Sequence, residues 1–245
     1  MLKNSNQGRA MKTTSKHPLI GKIYDSVRDE DEDRVYEMWH ASDIASCPRA
    51  QYFHRLGIKP TNDVGMGKVL RWRIGHLVEE EIRTHLSKIY KGIKSNQRLT
   101  SDKLELTGEY DNYHEGTLFE VKSVHPWAIK HLINDNKPYP SHSYQNHAYA
   151  LLLNEQDEPV GSIVYIYVGL DGQLFVVEED IDPNIMGAVQ RRLDSLNKAW
   201  KNKKLPDCLC EEKTHPLYNS AMKWCDYKTT NSCCDPILIN QLEEE

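Results

Sequence analysis

The sequence predicts a mixed α/β fold in which helices cover a central sheet. Helix-like and strand-like patterns alternate along the 245 residues in the order helix, strands, helix, strands, helix, which is typical of α/β domains. The chain is 39% apolar, so it can bury one sizeable core. We expect one domain over residues 23–245, including a Cys-rich segment at 205–235, after a flexible basic arm of residues 1–22.

Charge and hydropathy limit the classes of function and location. No apolar run is long enough to span a membrane, and the basic arm lacks the apolar stretch of a signal peptide. A cytoplasmic protein is therefore expected, or one in the host cytoplasm if a phage encodes it. The net charge of −5 is unlike that of an overall basic nucleic-acid binder, so a nucleic-acid surface would have to be locally basic.

The first long helix is predicted over Met66–Tyr90. Glu79 falls at the edge of its apolar face, near Gly75, whereas His76 falls further round toward solvent. A carboxylate at the rim of a buried face can join a metal site, although a glutamate on a helix surface often contacts only water. The residues that form the expected buried face are Leu70, Ile74, Leu77, Val78, Ile82, Leu86 and Ile89.

Two strands follow this helix. We predict them over Leu104–Asp111 and Leu118–Val124, with Asn112–Gly116 as the turn. Because side chains alternate along a strand, Glu120 and Lys122 share one face, and Asp111 lies at the end of the partner strand. Two carboxylates beside an amine suit Mg²⁺ or Mn²⁺ and metal-assisted cleavage of a phosphodiester. The plainer alternative is a solvated strand face.

A further helix is predicted over Ser143–Leu153. Gln145 and Tyr149 are four residues apart and therefore share a face. Together they could hold a phosphate, or orient the lysine and a water molecule. The plainer interpretation is two polar residues on a half-buried helix.

The remaining elements complete the sheet and its cover. Val160–Val168 and Gln173–Glu179 form a predicted hairpin, which extends a sheet that begins at about Ile93. Asp182 then caps a helix that has Pro183 at its first position. The expected buried stripe of this helix consists of Ile185, Val189, Leu193, Leu196 and Trp200.

Six cysteines in a protein expected in the cytoplasm favour metal binding over disulfides. Cys47 opens a predicted N-terminal helix that also carries Tyr52, Phe53 and Leu56. Thiolate spacing alone is compatible with a structural Zn²⁺, with an iron–sulfur cluster, or with buried thiols that bind nothing. The other five cysteines are Cys208, Cys210, Cys225, Cys233 and Cys234.

Taken in order, these motifs resemble the PD-(D/E)XK nuclease superfamily, and specifically its RecB-like branch. The resemblance covers roughly residues 40–235 and implies a restriction-endonuclease-like fold, with a mixed central sheet flanked by helices. The motifs that carry it are Gly-x-x-x-Glu (Gly75, Glu79), Gly-x-x-Asp (Gly108, Asp111), Glu-x-Lys (Glu120, Lys122) and Gln-x-x-x-Tyr (Gln145, Tyr149).

The resemblance also implies a ligand set for the catalytic metal ion, Mg²⁺ or Mn²⁺. In the RecB-like branch, residues that correspond to Asp111, Glu120 and the main-chain carbonyl of Val121 hold this ion. Many members have a histidine at the position of Glu79. Glu79 and the neighbouring His76 therefore remain alternatives for completing the site, and the helical phase favours Glu79.

The cysteines resemble those of the CRISPR-associated iron–sulfur exonucleases and their phage relatives. In that family a [4Fe–4S] cluster takes one ligand from the N-terminal helix and three from the tail, which implies Cys47 and Cys225 here and a cluster that staples helix to tail. Met222 stands where the family has a further cysteine. The other two ligands would come from the pairs Cys208 or Cys210, and Cys233 or Cys234.

The implied function is a metal-dependent DNA exonuclease, acting on single-stranded DNA or DNA ends in recombination, repair or phage DNA metabolism. Lys122 would orient the attacking water or stabilise charge, while Gln145 and Tyr149 position the strand. Recombination or replication proteins are expected partners. The alternative is a non-catalytic or structure-specific nucleic-acid-binding subunit of a recombination or CRISPR-spacer-acquisition complex.

Aromatic residues near these motifs are candidates for stacking on nucleic-acid bases. The sequence alone does not separate stacking from packing in the core. The four candidates are Tyr52, Phe53, Trp72 and Trp127.

Overall fold

The computed structural model describes Leu19 and residues 36–61, 66–209 and 212–228. The expected basic arm, Leu19 apart, lies outside the described residues, as do Cys210, Cys233 and Cys234. In the part of the chain that is described, no helix is both long enough and apolar enough to cross a membrane.

A single mixed sheet forms the centre of the fold. Its order is β1-β3-β4-β5-β6, and β2 pairs with the other edge of β3. The pairs β1–β3 and β4–β5 are parallel, whereas the other pairs are antiparallel. The strands are β1 (Trp39–His40), β2 (Lys94–Ser101), β3 (Leu106–His114), β4 (Thr117–Val124), β5 (Ser162–Gly169) and β6 (Leu174–Asp180).

Helices cover both faces of this sheet, which confirms the predicted mixed α/β architecture. The larger core joins the sheet to α1, α4 and α5, while α2 packs on the opposite face through a small cluster around Phe119 and Val121. Asp182 caps α5 as predicted, because its side chain accepts a hydrogen bond from the Asn184 amide at 2.7 Å. The helices are α1 (Pro48–Arg55), α2 (Met66–Ile89), α3 (Pro126–Asp135), α4 (Pro140–Asn154), α5 (Pro183–Lys201) and α6 (Tyr218–Trp224).

The turn between β3 and β4 is shorter than predicted. Asn112, Tyr113 and His114 belong to β3 and pair with β4, so Asp111 lies inside the strand and not at its end. Glu115 (φ 44°) and Gly116 (φ 86°) alone make the turn. Two consecutive residues with positive φ form a tight hairpin turn whose twist matches that of the flanking strands.

The predicted buried face of α2 is only partly correct. Leu86 is buried, and Val78 and Ile82 pack against the small cluster with it. Leu77 and Ile89, by contrast, are each 67% exposed. Leu70 and Ile74 are exposed as well, because α2 contacts the sheet along one narrow line, and a stripe this wide cannot all reach it.

The sequence interpretation assigned no helix to residues 126–135. Its start and stop signals are nevertheless present: His125 accepts a hydrogen bond at the N-cap, Pro126 occupies the first position, and Asn136 ends the helix in the left-handed conformation. This helix, α3, begins two residues after β4 ends.

Candidate active site

The acidic motifs of the sequence meet where β3 and β4 diverge. The ladder between these strands consists of the pairs Asn112–Phe119, Tyr113–Leu118 and His114–Thr117. Beyond it, β4 continues beside β5, and β1 takes up the same edge of β3 at Leu106 and Thr107. The edge of β3 from Gly108 to Asp111 therefore borders a gap, which we call the fork.

Asp111 bridges the fork. Its Oδ2 accepts a hydrogen bond from the main-chain N–H of Val121 at 2.8 Å. This N–H would otherwise face the gap without a strand partner, and a buried amide needs an acceptor. The bond brings Asp111 beside Glu120, the residue that precedes Val121.

Glu120 is buried at the base of the fork, with only 1% of its surface exposed. The Lys122 ammonium donates to its Oε1, and Gln145 Nε2 donates to the same oxygen at 3.2 Å. Gln145 also donates to the Tyr149 hydroxyl at 3.2 Å. Among the described residues, Oε2 of Glu120 has no hydrogen-bond partner.

The charges in the fork strongly affect one another. Burial raises the pKa of Asp111 well above its ordinary value, and the charge of Glu120 raises it further, although the Val121 N–H and Lys122 oppose this. Burial would lower the pKa of Lys122, but the charges of Glu120 and Asp111 outweigh it and leave the pKa raised. A protonated lysine thus stabilises the two carboxylates only in part.

The helix α2 places Glu79 closer to the fork than His76. Burial raises the pKa of Glu79, and both Lys122 and Glu120 act on it electrostatically. The Glu79 side chain is 22% exposed, whereas that of His76 is 78% exposed. His76 Nδ1 lies 3.7 Å from a Glu79 carboxylate oxygen, so His76 contacts the outer side of Glu79.

Gly108 explains the glycine of the Gly-x-x-Asp motif. A Cβ atom at this position would lie 2.7 Å from a ring carbon of Tyr149 and 2.8 Å from Cβ of Ala41. Neither distance is tolerable between carbon atoms. The absence of a side chain therefore lets α4 bring Tyr149 down onto β3, beside the fork.

A row of buried polar groups behind Glu120 was missed from the sequence. In the parallel ladder of β4 and β5, Tyr165 lies opposite Glu120 and Tyr167 opposite Lys122. The Tyr165 hydroxyl donates to Glu179 at 2.8 Å, and the Tyr167 hydroxyl lies 3.0 Å from Nδ1 of His142. The alternating Tyr-x-Tyr in an apolar strand was the signal that could have revealed this row.

The described cysteines come together from three segments of the chain. The sulfur atoms of Cys47 and Cys208 lie 3.7 Å apart. Burial raises the pKa of Cys225 to about 11, and Cys47 contributes to this shift. Beside them, Arg192 is half-buried and donates to the carbonyl of Ser46.

Two regions carry the predicted metal ligands, the fork and the surroundings of the cysteines. Among the described residues, neither region contains a group of three His, Cys, Asp or Glu side chains that could hold a metal ion. The fork brings together Asp111, Glu120 and Lys122, with Glu79 at its rim. At the cysteines, the remaining predicted ligands lie outside the described residues.

Comparison with known proteins identifies the fold. No family model and no curated protein matches the sequence. Among solved structures, the chain is similar to the alkaline exonuclease LHK-Exo from Laribacter hongkongensis, with a TM-score of 0.52 and 12% identity over 73% of this chain and 93% of that one. A structure of LHK-Exo in complex with dAMP gives a TM-score of 0.53 and 13% identity, over 68% and 89% of the two chains.

Proposed function

We propose that this protein is a metal-dependent nuclease of the PD-(D/E)XK type whose active site is the fork. The observation that carries the proposal is Oε2 of Glu120, which is buried near Asp111 and has no hydrogen-bond partner among the described residues. A buried carboxylate oxygen without a hydrogen bond is costly unless a cation or donor satisfies it. Lys122 already binds the other oxygen, so Oε2 is left available to a metal cation.

Asp111, Glu120 and the carbonyl oxygen of Val121 would hold Mg²⁺ or Mn²⁺, and Glu79 would contribute from the rim. Such an ion, when bound, polarises the scissile phosphate and lowers the pKa of a coordinated water. The oxygen-only donor set fits hard cations of this kind.

The chain's own groups would perform the other steps. Lys122 stays protonated beside the carboxylates, so it would stabilise the negative charge that develops on the phosphate. Gln145 donates hydrogen bonds to both Glu120 and Tyr149. These bonds would fix the surface of the site against which the DNA strand lies. Glu79, at the rim of the fork, would add a further carboxylate to the residues that hold the ion.

DNA is the proposed substrate, cleaved from its ends. The support is the fold that this chain shares with an alkaline exonuclease, one of whose structures contains dAMP.

We further propose that Cys47, Cys208 and Cys225 are ligands of a metal centre, a [4Fe–4S] cluster in the first instance and Zn²⁺ in the second. Support comes from the 3.7 Å approach of the Cys47 and Cys208 sulfur atoms and from the electrostatic effect of Cys47 on Cys225. The half-buried cation of Arg192 also supports it, since bound thiolates would offset its charge. This centre would tie α1 to the C-terminal segment. Anaerobic purification with iron, sulfide and zinc analysis tests it.

The deciding experiment is digestion of end-labelled single-stranded DNA with Mn²⁺, with and without a chelator. We expect cleavage only with the metal, and its loss in Lys122→Ala but not in Lys88→Ala, an exposed lysine at the end of α2. If the purified protein binds DNA and never cuts it under any divalent metal, it is instead a nucleic-acid-binding subunit.

A further inference from the structure

Two segments beside the fork are basic although the protein as a whole is acidic. Residues 66–78 contain three Lys or Arg and no Asp or Glu, and residues 121–134 contain two Lys and no Asp or Glu. The net charge of the whole chain is −5. Acidic residues are therefore absent from the two stretches where a polyanion would approach the site.

The two segments meet at Ser123. A Cβ atom on Gly75 of α2 would lie 3.5 Å from Oγ of Ser123, next to Lys122. Glu79 follows Gly75 by four residues and Trp72 precedes it by three, so all three lie along one face of α2. Trp72 is therefore one helical turn beyond the point of contact, on the side away from Glu79.

Trp72 and Trp127 are exposed on these segments. The fraction of surface that remains exposed is 46% for Trp72 and 65% for Trp127, compared with 2% for Trp39 in the core. Trp127 is the second residue of α3, the helix that follows β4. Of the other candidates for stacking, Tyr52 and Phe53 are buried in the core, so the sequence expectation fails for them.

Basic groups accompany both indoles. Lys68 Nζ lies 5.0 Å from the centre of the Trp72 ring while also pairing with Asp226 at 2.9 Å. Arg71 is exposed beside Trp72, and Lys130 is exposed one turn after Trp127. This arrangement, aromatic faces within a basic surface, is typical of proteins that bind single-stranded nucleic acid.

We propose that Trp72 and Trp127 stack on unpaired bases of a nucleic-acid strand whose backbone passes Arg71 and Lys130 on its way to the fork. The proposal rests on the nuclease function and specifies its substrate as a single-stranded segment next to the cut. Bases of an intact duplex stack on each other and offer no free face to an indole. A frayed end or a single strand offers such faces.

Binding without cleavage tests the proposal. Fluorescence anisotropy with a labelled oligothymidylate, in the presence of a chelator, should show a roughly five- to hundredfold weaker affinity for Trp72→Ala and for Trp127→Ala. Trp72→Phe should restore most of the affinity because it keeps an aromatic face. Ile89→Ala is the matched control, an exposed apolar residue at the opposite end of α2, and should bind like the wild type.

An abasic oligonucleotide of the same length separates stacking from charge. The wild type should bind it more weakly than oligothymidylate, and the two alanine variants should bind it as the wild type does. Equal losses on both strands, or unchanged affinity in both variants, would overturn the proposal. So would a change in sedimentation of the Trp72→Ala variant, because the indole would then belong to an interface with a second copy. Since no cleavage is needed, failure of the nuclease proposal leaves this result separately readable.

Discussion

The two faces of β4 carry opposite chemistry. One face presents Glu120 and Lys122 to α4, in a buried network of charges. The other presents Phe119 and Val121 to α2, in a small apolar cluster. The comparison teaches that alternation along one strand divides the work: the apolar face supplies stability, and the polar face holds charges that reduce it.

Asp111→Asn should separate the two contributions most strongly. Asparagine can still accept the Val121 N–H, but it brings no negative charge next to Glu120. We expect cleavage to fall by at least about a hundredfold, while the melting temperature stays equal or rises, because a buried like-charge pair is removed. Cleavage assays and thermal denaturation measure the two effects. Unchanged cleavage would remove Asp111 from the active site; Glu80→Gln, an exposed carboxylate on α2, is the control.

Gly108→Ala should disturb the polar face of β4 by displacing Tyr149 from its position beside the fork. The new methyl group would collide with Tyr149 and Ala41, so we expect a loss of about 1–3 kcal/mol in the free energy of unfolding together with weaker cleavage. Gly67→Ala in α2 is the matched control, since nothing lies within 4 Å of its added Cβ, and alanine there should be neutral or stabilising. Denaturant unfolding of both variants measures the difference.

Val121→Ala tests the apolar face. Its side chain is 5% exposed, and losing two methyl groups there should cost about 2 kcal/mol of stability. Val176→Ala makes the same chemical change on β6 at a site that is 55% exposed and should cost far less. If chemical denaturation gave the same loss of stability for both variants, packing under α2 would stabilise Val121 no more than the exposed position stabilises Val176.

The smallest expected effect concerns pH and the row behind Glu120. Burial lowers the pKa of His142 to about 3, and Lys122 adds to this. The unfolded chain therefore binds a proton below about pH 6.5 that the folded chain does not, and stability falls as the pH drops through this range. The raised pKa of Asp111 acts in the opposite direction, so the difference between wild type and His142→Gln isolates the histidine.

We expect this difference to amount to about 0.7 kcal/mol between pH 7 and pH 6. Chemical denaturation at both pH values measures it. A wild type and variant with the same pH dependence would show that His142 does not titrate as its burial requires.

The fold was predictable where local patterns determine it. Neighbouring residues alone determine the start of α5 at Asp182–Pro183 and the alternation of side chains along β4. Both predictions agree with the structure. The motif residues Glu120 and Lys122 share a face for the same local reason. The roles of these residues in catalysis remain a prediction from the sequence.

What the sequence could not give depends on contacts between distant segments. The fork exists because the ladder of β3 and β4 ends after Asn112 and Phe119, and no local pattern sets that length. The exposure of Leu77 likewise depends on how far α2 extends over the sheet. Periodicity identifies a helical face, but it does not say how much of that face another element will cover.

The short ladder between β3 and β4 affects how the two carboxylates of the fork are held. Asp111 lies on β3, which pairs with β2, whereas Glu120 lies on β4, which pairs with β5. Within the sheet, a ladder of three residue pairs and the Asp111–Val121 hydrogen bond join these two halves. The distance between the Asp111 and Glu120 carboxylates therefore depends on the angle between the two halves of the sheet. A small rotation of one half relative to the other would change this distance without any rearrangement inside either half.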